Sequence, residues 1–359
     1  MALLLLLVLL LPAVVGTMMN ASEENISGLA KFTLAVMFGS ILFILFDFRT
    51  FEILFSNTVL LICIVSLPLY LIANFTESIG LLPLVKNVND VGYRFALIFV
   101  SFDGFLKYRN VGVFWEPGIF ATMIFAALVA DLYSKEKVNA FRVGAFLVAL
   151  VTTFSGAAII FFLIYASLIF FYPHRKNGNN IQKQIIPVFA IVFIVCIFSL
   201  YMLSSQSGAL AYLERLVGKI TSPEQTQSAR FLSPIIGFQV FFDRPVFGWG
   251  FAGALDEYRF LNDEIALTST SAYLMSAIGV SGVLFTLLPM LGVARQRSLN
   301  FPTRILLIFS FLFVINKEPH TYFTLTHALA FFSLAALASR DGRNEKALGG
   351  RAIAKRNTI

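Results

Sequence analysis

The chain has 359 residues, of which 58% are hydrophobic and 13% are charged. A soluble protein carries about 25% charged residues, so this composition excludes an ordinary soluble fold and favours a membrane protein. The formal net charge of +7 does not indicate nucleic-acid binding. The basic residues cluster in short loops, where they report membrane topology instead.

Apolar stretches of helix length recur along the chain and predict an all-α membrane bundle of about ten transmembrane helices. Residues 2–19 have no basic residues before their leucine-rich core and no clear cleavage site, so we interpret them as a span rather than a signal peptide. Ser155 and Gly156 predict a helix break in the long uncharged stretch. We place the spans at residues 2–19, 30–46, 53–73, 118–133, 141–154, 156–172, 185–203, 269–292, 305–317 and 320–338.

Basic clusters in the connections predict the orientation, since such residues collect on the cytoplasmic side. Both termini are therefore expected in the cytoplasm, with one membrane domain over residues 1–339 and a basic tail at 340–359. The outer segments are expected at residues 20–28, 74–117 and 204–267, with an interfacial or re-entrant helix at 95–106. The cytoplasmic clusters are Lys135, Lys137 and Arg142; His174, Arg175, Lys176 and Lys183; Arg295, Arg297 and Arg304; and the tail.

A first polar motif precedes the fourth predicted span and reads R-N-V-G-V-F-W-E-P-G over residues 109–118. Pro117 suits the first position of a helix, where its missing N–H would be unpaired anyway. Glu116 then lies at the positive end of the helix dipole. Two interpretations stay open: a capped helix with an interfacial Trp115, or an outward-facing acid beside Arg109 at the lip of a cavity.

A second motif lies in the long outer segment, where S-A-R at residues 228–230 is followed by D-R-P-V-F-G-W-G at residues 243–250. The two glycines of the latter permit close backbone approach or a positive φ angle. Arginines bind diphosphates through bidentate, charge-assisted hydrogen bonds, which makes Arg230 and Arg244 predicted ligands. The alternative is a tight turn with salt-bridged surface arginines, because a single Gly-x-Gly is a weak signal.

Two shorter polar segments flank the last predicted spans. N-K-E-P-H at residues 316–320 is an outer connection, in which Glu318 and His320 either line a site or belong to a simple hairpin turn. A hydroxyl-rich stretch at residues 268–271 opens the eighth predicted span. It is interpreted as a helix N-cap or as a contact for a sugar.

The sequence lacks the motifs of phosphate-loop nucleotide binding, zinc hydrolysis and serine nucleophile elbows. Its two cysteines, Cys63 and Cys196, lie inside apolar runs without CxxC or His/Cys ligand spacing. We therefore expect no metal, no cofactor, no disulfide framework and no nucleic-acid partner.

Together these residues resemble a known family. Residues 109–118 are similar to the Arg-x-x-Gly-x-Phe-x-Glu-Pro-Gly segment of Wzy-type polysaccharide polymerases. Residues 228–230 and 243–250 resemble the large periplasmic loop of the O-antigen polymerase and ligase superfamily. T-F-S-G at residues 153–156 resembles the Thr-x-Ser-(Arg)-Gly helix break of that superfamily, without its frequent arginine. The resemblance covers about residues 90–335.

The resemblance implies a multi-helix protein of the bacterial inner membrane whose long outer loop covers a cavity. It implies a glycosyltransferase that polymerises polyprenyl-diphosphate-linked oligosaccharide repeat units at the outer leaflet, for O-antigen, capsule or exopolysaccharide. That lipid-linked substrate, membrane lipid and a chain-length regulator protein are the expected partners. The ligase branch usually has a His after the Gly-x-Gly loop. Its absence from residues 268–272 favours the polymerase branch, with an O-antigen ligase as the alternative.

Arginines are suited to binding the departing diphosphate, because they stay charged and their N–H groups match the geometry of the phosphate oxygens. A carboxylate near the acceptor hydroxyl can serve as the general base. A transporter of lipid-linked sugar is the alternative from another class. It is disfavoured because transporters place polar residues near the bilayer midplane on broken helices, whereas the polar residues here crowd one face. The predicted catalytic residues are Glu116, Arg230 and Arg244, and the predicted substrate-binding residues are Arg109, Trp115, Gly248, Gly250, Glu318 and His320.

Overall fold

The structure, a computed structural model, describes residues 2–75, 81–86, 92–96, 99–102, 109–134, 139–171, 225–261, 269–296, 299–317 and 320–338. Within these residues the chain is mostly helical, as its hydrophobic pattern predicts, with twelve α-helices and one three-stranded sheet. The predicted span at 185–203 and the basic tail at 340–359 lie outside the described residues.

The described helices range from 9 to 28 residues in length. In chain order they are α1 (Ala2–Met19), α2 (Glu23–Leu45), α3 (Phe48–Phe75), α4 (Pro117–Ser134), α5 (Ala140–Thr152), α6 (Gly156–Phe171), α7 (Gln225–Asp243), α8 (Phe251–Leu261), α9 (Thr270–Ile278), α10 (Val280–Arg295), α11 (Phe301–Lys317) and α12 (Thr324–Ala338). Helices α7 and α8 belong to the segment that was predicted as a hydrophilic outer loop.

Among the described helices, two are long and apolar enough to cross a membrane: Glu23–Leu45 and Phe48–Ile72. The same apolar character continues in shorter helices. These are Leu10–Met19, Pro117–Tyr133, Ala140–Thr152, Gly156–Phe171, Leu232–Asp243, Val280–Arg295 and Phe301–Asn316.

The first outer loop is shorter than predicted, because α2 begins at Glu23 rather than near residue 30. The hydroxyl oxygen of Ser22 accepts the backbone N–H of Asn25 at 3.1 Å. This is an ordinary N-cap, and acidic residues in the first turn, Glu23 and Glu24, complement the helix dipole. The local polar residues that suggested a loop therefore start the helix.

The helix predicted at residues 95–106 is wrong over its described part. Strands β1 (Leu84–Lys86), β2 (Gly92–Ala96) and β3 (Phe99–Phe102) form an antiparallel sheet in the order β1-β2-β3. Tyr93 pairs with Phe102, and Phe95 pairs with Val100. Aromatic and β-branched residues favour a pleated strand over a helix, which is the physical reason for the difference.

The chain divides into two compact units. The first contains Met1–Phe48 and Pro223–Ile359, and the second contains Arg49–Ser222. In the first unit α12 packs against both α2 and α10, and α1 and α8 also pack on α2. Phe32 lies at its centre, with its ring 5.2 Å from that of Phe251 and 5.3 Å from that of His327.

The predicted span at residues 269–292 is wrong as a single helix. Helix α9 ends at Ile278 and α10 begins at Val280, with Gly279 between them at a φ of +60°. A Cβ atom built on Gly282 would overlap the backbone carbonyl of Leu274. In a straight helix these two residues would be about 12 Å apart. The chain therefore folds back at Gly279, and the two short helices pack against each other.

In the second unit α4 packs against α5 and α6, and the predicted helix break is confirmed. Helix α5 ends at Thr152, Phe154 takes a positive φ of +44°, and α6 begins at Gly156. The hydroxyl oxygen of Ser155 accepts the N–H of Ala157 at 3.3 Å. Ser155 thus starts the second helix, as its position in the uncharged stretch predicts.

Candidate functional site

The loop between α7 and α8, residues 243–250, covers the C-terminal end of α9 in the first unit. The backbone N–H of Trp249 donates to the carbonyl of Ser276 at 2.9 Å, and that of Gly250 donates to the carbonyl of Ala277 at 3.0 Å. Carbonyls in the last turn of a helix have no partner within the helix itself. The loop therefore supplies the cap that α9 needs at its C-terminal end.

The two glycines of this loop are required by its geometry, as predicted. Gly248 has a φ of +72° and Gly250 a φ of +76°, values that residues with a Cβ atom rarely adopt. A Cβ on Gly248 would overlap the backbone carbonyl of Ala277, and one on Gly250 would lie 2.6 Å from the Asn25 amide oxygen. Both positions therefore combine a positive φ with close approach of another element.

Arg244 is the side chain that this loop displays. Its guanidinium carbon lies 3.7 Å from the centre of the Trp249 ring, which is a close cation–π contact. Its Nη1 donates to the Asn20 side-chain oxygen at 2.8 Å. The Trp249 ring is itself held, because its Nε1 donates to the carbonyl of Val240 at 3.1 Å. Three separate elements thus orient one half-buried guanidinium.

The positive charge of Arg244 has no carboxylate partner among the described residues. A guanidinium has five N–H donors in a planar fork, and the Asn20 contact engages Nη1 alone. The predicted alternative of a salt-bridged surface arginine therefore does not describe Arg244. A stacked, partly desolvated arginine with unengaged donors is suited to binding an anion with several oxygen atoms.

Arg230 lies on α7, well separated from Arg244 along the helix. The hydroxyl of Ser276 donates to the carbonyl of Gly237 at 2.8 Å, which places the middle of α7 beside α9. Arg230 lies in the second turn of α7, which ends at Asp243, and this puts its backbone about 20 Å from that of Arg244. The two arginines that were predicted to share one diphosphate are not brought together by this helix.

The third and fourth predicted motifs meet at the N-terminal end of α9. The Ser269 hydroxyl accepts the N–H of Ala272 at 3.2 Å, which confirms the predicted N-cap. The hydroxyls of Ser269 and Ser271 both donate to the side-chain oxygen of Asn316. The backbone N–H of His320 donates to the Thr270 hydroxyl at 2.6 Å. These contacts tie the connection between α11 and α12 to the start of α9, while Glu318 lies outside the described residues.

His320 is buried, with 1% of its surface exposed. Its Nδ1 lies 3.3 Å from the Thr326 hydroxyl, and its Nε2 has no hydrogen-bond partner among the described residues. Burial, and secondarily the nearby His327, lower the pKa of His320 from 6.5 to about 4. The ring is therefore neutral at physiological pH, as a proton acceptor must be. It is also closed off from solvent.

In the second unit the first predicted motif is tied to the helix break between α5 and α6. The backbone N–H of Asn110 donates to the carbonyl of Thr152 at 2.9 Å, and its side-chain amide donates to the Thr152 hydroxyl at 3.2 Å. Arg109 Nε donates to the carbonyl of Thr153 at 3.1 Å. The first predicted motif and the helix break, 44 residues apart, thus form one structural element.

The end of this motif starts α4. Pro117 is the first residue of the helix, as predicted, and the backbone carbonyl of Glu116 accepts the N–H of Phe120 at 3.3 Å. The Glu116 side chain is half-buried, and Trp115 is 46% exposed. Gly112 has a φ of +56°, and a Cβ there would lie 3.0 Å from the ring of Phe120. The motif is therefore a tight helix entry that leaves Trp115 on the surface.

A buried ion pair in the second unit was missed by the sequence analysis. Arg142 Nε donates to Asp131 at 2.7 Å, its Nη2 donates to the Ser56 hydroxyl at 2.7 Å, and its Nη1 donates to the Asn57 side chain at 2.8 Å. The Ser56 hydroxyl donates to Asp131 as well. The network joins α3, α4 and α5. Its only sequence signal is a lone acid, Asp131, inside an apolar predicted span.

The structure also places two unpredicted asparagines beside the loop of residues 243–250. Asn20 holds Arg244, and the Asn25 side-chain oxygen accepts the backbone N–H of Ala252 at 2.6 Å, which caps α8 from a different helix. Nothing in the local sequence distinguishes these asparagines from ordinary loop residues. They become recognisable only when α1, α2 and α8 pack together.

The predicted site residues divide between the two units. Among the described residues no group of histidine, cysteine, aspartate or glutamate has an arrangement that would hold a metal ion. The first unit contains Arg230, Arg244, Gly248, Gly250 and His320, and the second contains Arg109, Trp115 and Glu116. In comparisons with known proteins, no family model, curated protein or solved structure matches this chain.

Proposed function

We propose that the protein is a multi-pass protein of the bacterial plasma membrane, with about ten spans and both termini in the cytoplasm. The two long apolar helices and the series of shorter ones support this proposal. Helix α10 takes the place of the predicted eighth span. Helix α9, which folds back on it at Gly279, is a short re-entrant helix on the outer side.

We further propose that it is a glycosyltransferase that polymerises polyprenyl-diphosphate-linked oligosaccharide repeat units at the outer leaflet. The observation that carries this proposal is the Arg244 guanidinium. It is stacked on Trp249 at 3.7 Å, is held by Asn20 at 2.8 Å, and carries a charge that no described carboxylate neutralises. Orienting an arginine in this way costs conformational entropy, which a bound anion would offset.

The proposed reaction needs no cofactor, because a sugar C1 bonded to diphosphate is already activated. The acceptor hydroxyl oxygen attacks C1, the C1–O bond to the diphosphate breaks, and the polyprenyl diphosphate leaves with the electron pair. The hydroxyl proton passes to a general base. Arg244 binds the diphosphate oxygens as their negative charge increases, and a preorganised donor of this kind contributes about 10²–10³-fold in rate.

Three of the predicted residues have altered roles in this proposal. Arg109 has its Nε bonded to the carbonyl of Thr153, so it supports the fold of the motif as well as any substrate contact. The backbone of Arg230 lies about 20 Å from that of Arg244 along α7, so Arg230 is not included in the diphosphate site proposed around Arg244. His320 is buried in a hydrogen-bonded connection and positions the start of α9.

The test is elongation of purified lipid-linked repeat units by the purified protein in detergent, followed as a ladder of products on a gel. We expect the parent protein to elongate and Arg244→Ala to slow elongation by about 10²–10³-fold. Arg244→Lys should recover only part of the rate, because lysine lacks the planar fork of donors. Lengthened product would exclude a transporter, and transfer to a lipid A core without lengthening would identify a ligase.

Arg259→Ala is the matched control for this test. Arg259 lies in the same unit, is exposed, and pairs only loosely with Asp256 at 3.8 Å. Its loss should leave the ladder unchanged. Equal rates for Arg244→Ala and Arg259→Ala would remove the main support for the proposed function.

A transporter of lipid-linked sugar is the second candidate, because the structure contains two interrupted helices. One interruption lies between α5 and α6, at residues 152–156, and the other is the reversal at Gly279. Transporters often build their substrate sites from interrupted helices of this kind. Movement of a fluorescent lipid-linked sugar across proteoliposomes, without elongation in detergent, would favour this candidate. Elongation in detergent, where no second compartment exists, would exclude it as the main activity.

A further inference from the structure

Asn20 lies immediately after α1, in a turn that carries no predicted function. We infer that Asn20 is a positioning residue for Arg244, and that this one residue of the turn after α1 therefore belongs to the anion-binding site. This inference rests on the proposed function, because it assigns to Asn20 the task of aiming a guanidinium at a diphosphate. It adds a residue from the N-terminal helix to a site otherwise built from the loop at 243–250.

The orientation of the Asn20 amide follows from chemistry. Its Nδ2 donates to the carbonyl of Gly16 at 3.1 Å, and its oxygen accepts from Arg244 Nη1 at 2.8 Å. A carbonyl only accepts and a guanidinium only donates, so the opposite orientation would break both bonds. The amide is therefore held in one state, and its oxygen fixes the rotation of the guanidinium about its long axis.

Asn20 is also held through its backbone. The Asn25 amide donates to the carbonyl of Asn20 at 2.6 Å, and the Asn25 oxygen accepts from Ala252 at the start of α8. The turn after α1 and the loop that carries Arg244 are thus connected at two points. A shift of either segment would move the other, which keeps the distance from Asn20 to Arg244 constant.

Stacking alone does not fix Arg244. A guanidinium that lies flat on an indole ring remains free to slide and to rotate in the plane of the ring. The single hydrogen bond at Nη1 removes that freedom and directs the Nε and Nη2 edge away from Asn20. Two parallel N–H groups on one edge match two oxygen atoms of a phosphate group. Asn20 therefore affects anion binding without contacting the anion.

A purely structural interpretation is that Asn20 only ends α1, through its bond to Gly16. The two interpretations differ in what they predict for variants that lack Arg244. If Asn20 acts through Arg244, its replacement has no further effect on anion binding once Arg244 is gone. If it acts only on α1, its replacement lowers stability equally with and without Arg244.

The experiment measures binding of inorganic diphosphate, and separately of a short prenyl diphosphate, to the purified full chain in detergent by titration calorimetry. We expect Asn20→Ala to weaken diphosphate binding about tenfold in the parent and to have no effect in an Arg244→Ala background. Asn20→Asp should weaken binding more, because its carboxylate would pair with Arg244 and compete with the anion. Ser22→Ala is the control, since it removes the cap of α2 in the same turn without touching Arg244.

The outcomes separate this inference from the proposed function. If Arg244→Ala weakens diphosphate binding to a level that is still measurable and Asn20→Ala behaves like Ser22→Ala, the inference about Asn20 is wrong and the proposed function stands. If Arg244→Ala leaves diphosphate binding unchanged, both are overturned. Tighter binding of the prenyl diphosphate supports a lipid substrate. Equal affinity for both ligands contradicts a lipid substrate. Even then, an effect of Asn20→Ala on diphosphate binding that depends on Arg244 would support the positioning role of Asn20.

Discussion

Arg142 in the second unit and Arg244 in the first are both held by several groups, but their charges are used differently. Arg142 is paired with Asp131 at 2.7 Å and also bonds to Ser56 and Asn57, with 14% of its side chain exposed. Arg244 has a neutral partner, Asn20, and an aromatic surface.

The comparison shows that the neighbours of an arginine decide its role. A buried guanidinium must be paired, because an uncompensated charge away from water is very unfavourable, and Arg142 therefore serves to join α3, α4 and α5. A half-buried guanidinium held by a neutral amide retains its charge for a ligand. The sequence does not show which of the two arginines is neutralised, because the carboxylate of Asp131 and the amide of Asn20 come from other helices or turns.

The largest effect on stability is expected for Arg142→Ala. The substitution leaves Asp131 buried without its cation, which should lower the free energy of unfolding by about 3–5 kcal/mol. Chemical denaturation in detergent measures this loss. The double variant Asp131→Leu with Arg142→Met removes both charges and should recover most of it. If the double variant is as unstable as the single one, the ion pair is not the main source of the loss.

Arg244→Ala should show the opposite pattern. We expect elongation to fall by about 10²–10³-fold, with a free energy of unfolding within about 1 kcal/mol of the parent value, because the lost contacts are a surface stacking contact and one hydrogen bond. Activity and denaturation assays on the same preparation measure both quantities. A large loss of stability would make Arg244 a structural arginine like Arg142.

His320 predicts a pH dependence of stability in the first unit. Burial lowers the pKa of His320 to about 4 in the folded chain, from 6.5 when unfolded. The unfolded chain therefore binds the proton more readily, so stability is fully present above pH 6.5 and is lost as the pH falls toward 4. The loss amounts to about 3 kcal/mol. Denaturation at pH 7 and at pH 4 measures this loss of free energy of unfolding. The His320→Gln variant should show a smaller difference in free energy of unfolding between the two pH values. An unchanged difference would contradict the assignment to His320.

Asn110→Ala should destabilise the second unit by about 2 kcal/mol. The side chain of Asn110 accepts the N–H of Gly112 at 3.1 Å and donates to Thr152, and its loss leaves a buried N–H without an acceptor. Asn139→Ala, at an exposed N-cap of α5, is the control, and it should cost only about 1 kcal/mol. Denaturation measures both losses of free energy of unfolding. Equal losses for the two variants would show that the hydrogen bonds between the first motif and the helix break contribute little to stability.

Some features of the two units were predictable because their causes are local. Pro117 begins α4, Ser155 starts α6 after the break, and Ser269 caps α9, as expected from the preferences of these residues at helix starts. The positive φ angles of Gly248 and Gly250 were predictable for the same reason. Each of these features depends on the backbone conformation of a few neighbouring residues. A sequence pattern describes the same few residues, which is why it can predict them.

Other parts depend on distant residues and were not predictable. The fold-back at Gly279 looks like the middle of one apolar span, because hydrophobicity does not distinguish a straight helix from two short ones that pack together. The partner of Arg142 lies in α4, and the partner of Arg244 is Asn20, more than 200 residues away in the chain. The separation of Arg230 from Arg244 likewise follows from α7 being one helix.

The amino-acid sequence alone was enough to predict the helical class, most helix positions and the backbone requirements of individual glycines, prolines and helix caps. These features depend on local conformational preferences and on the spacing of apolar residues along the chain. Tertiary packing decided which arginine is neutralised and which is left for a ligand. The charge state of a site depends on which side chains lie within a few ångströms, and the side chains around Arg142 and Arg244 come from helices that only the folded chain brings together.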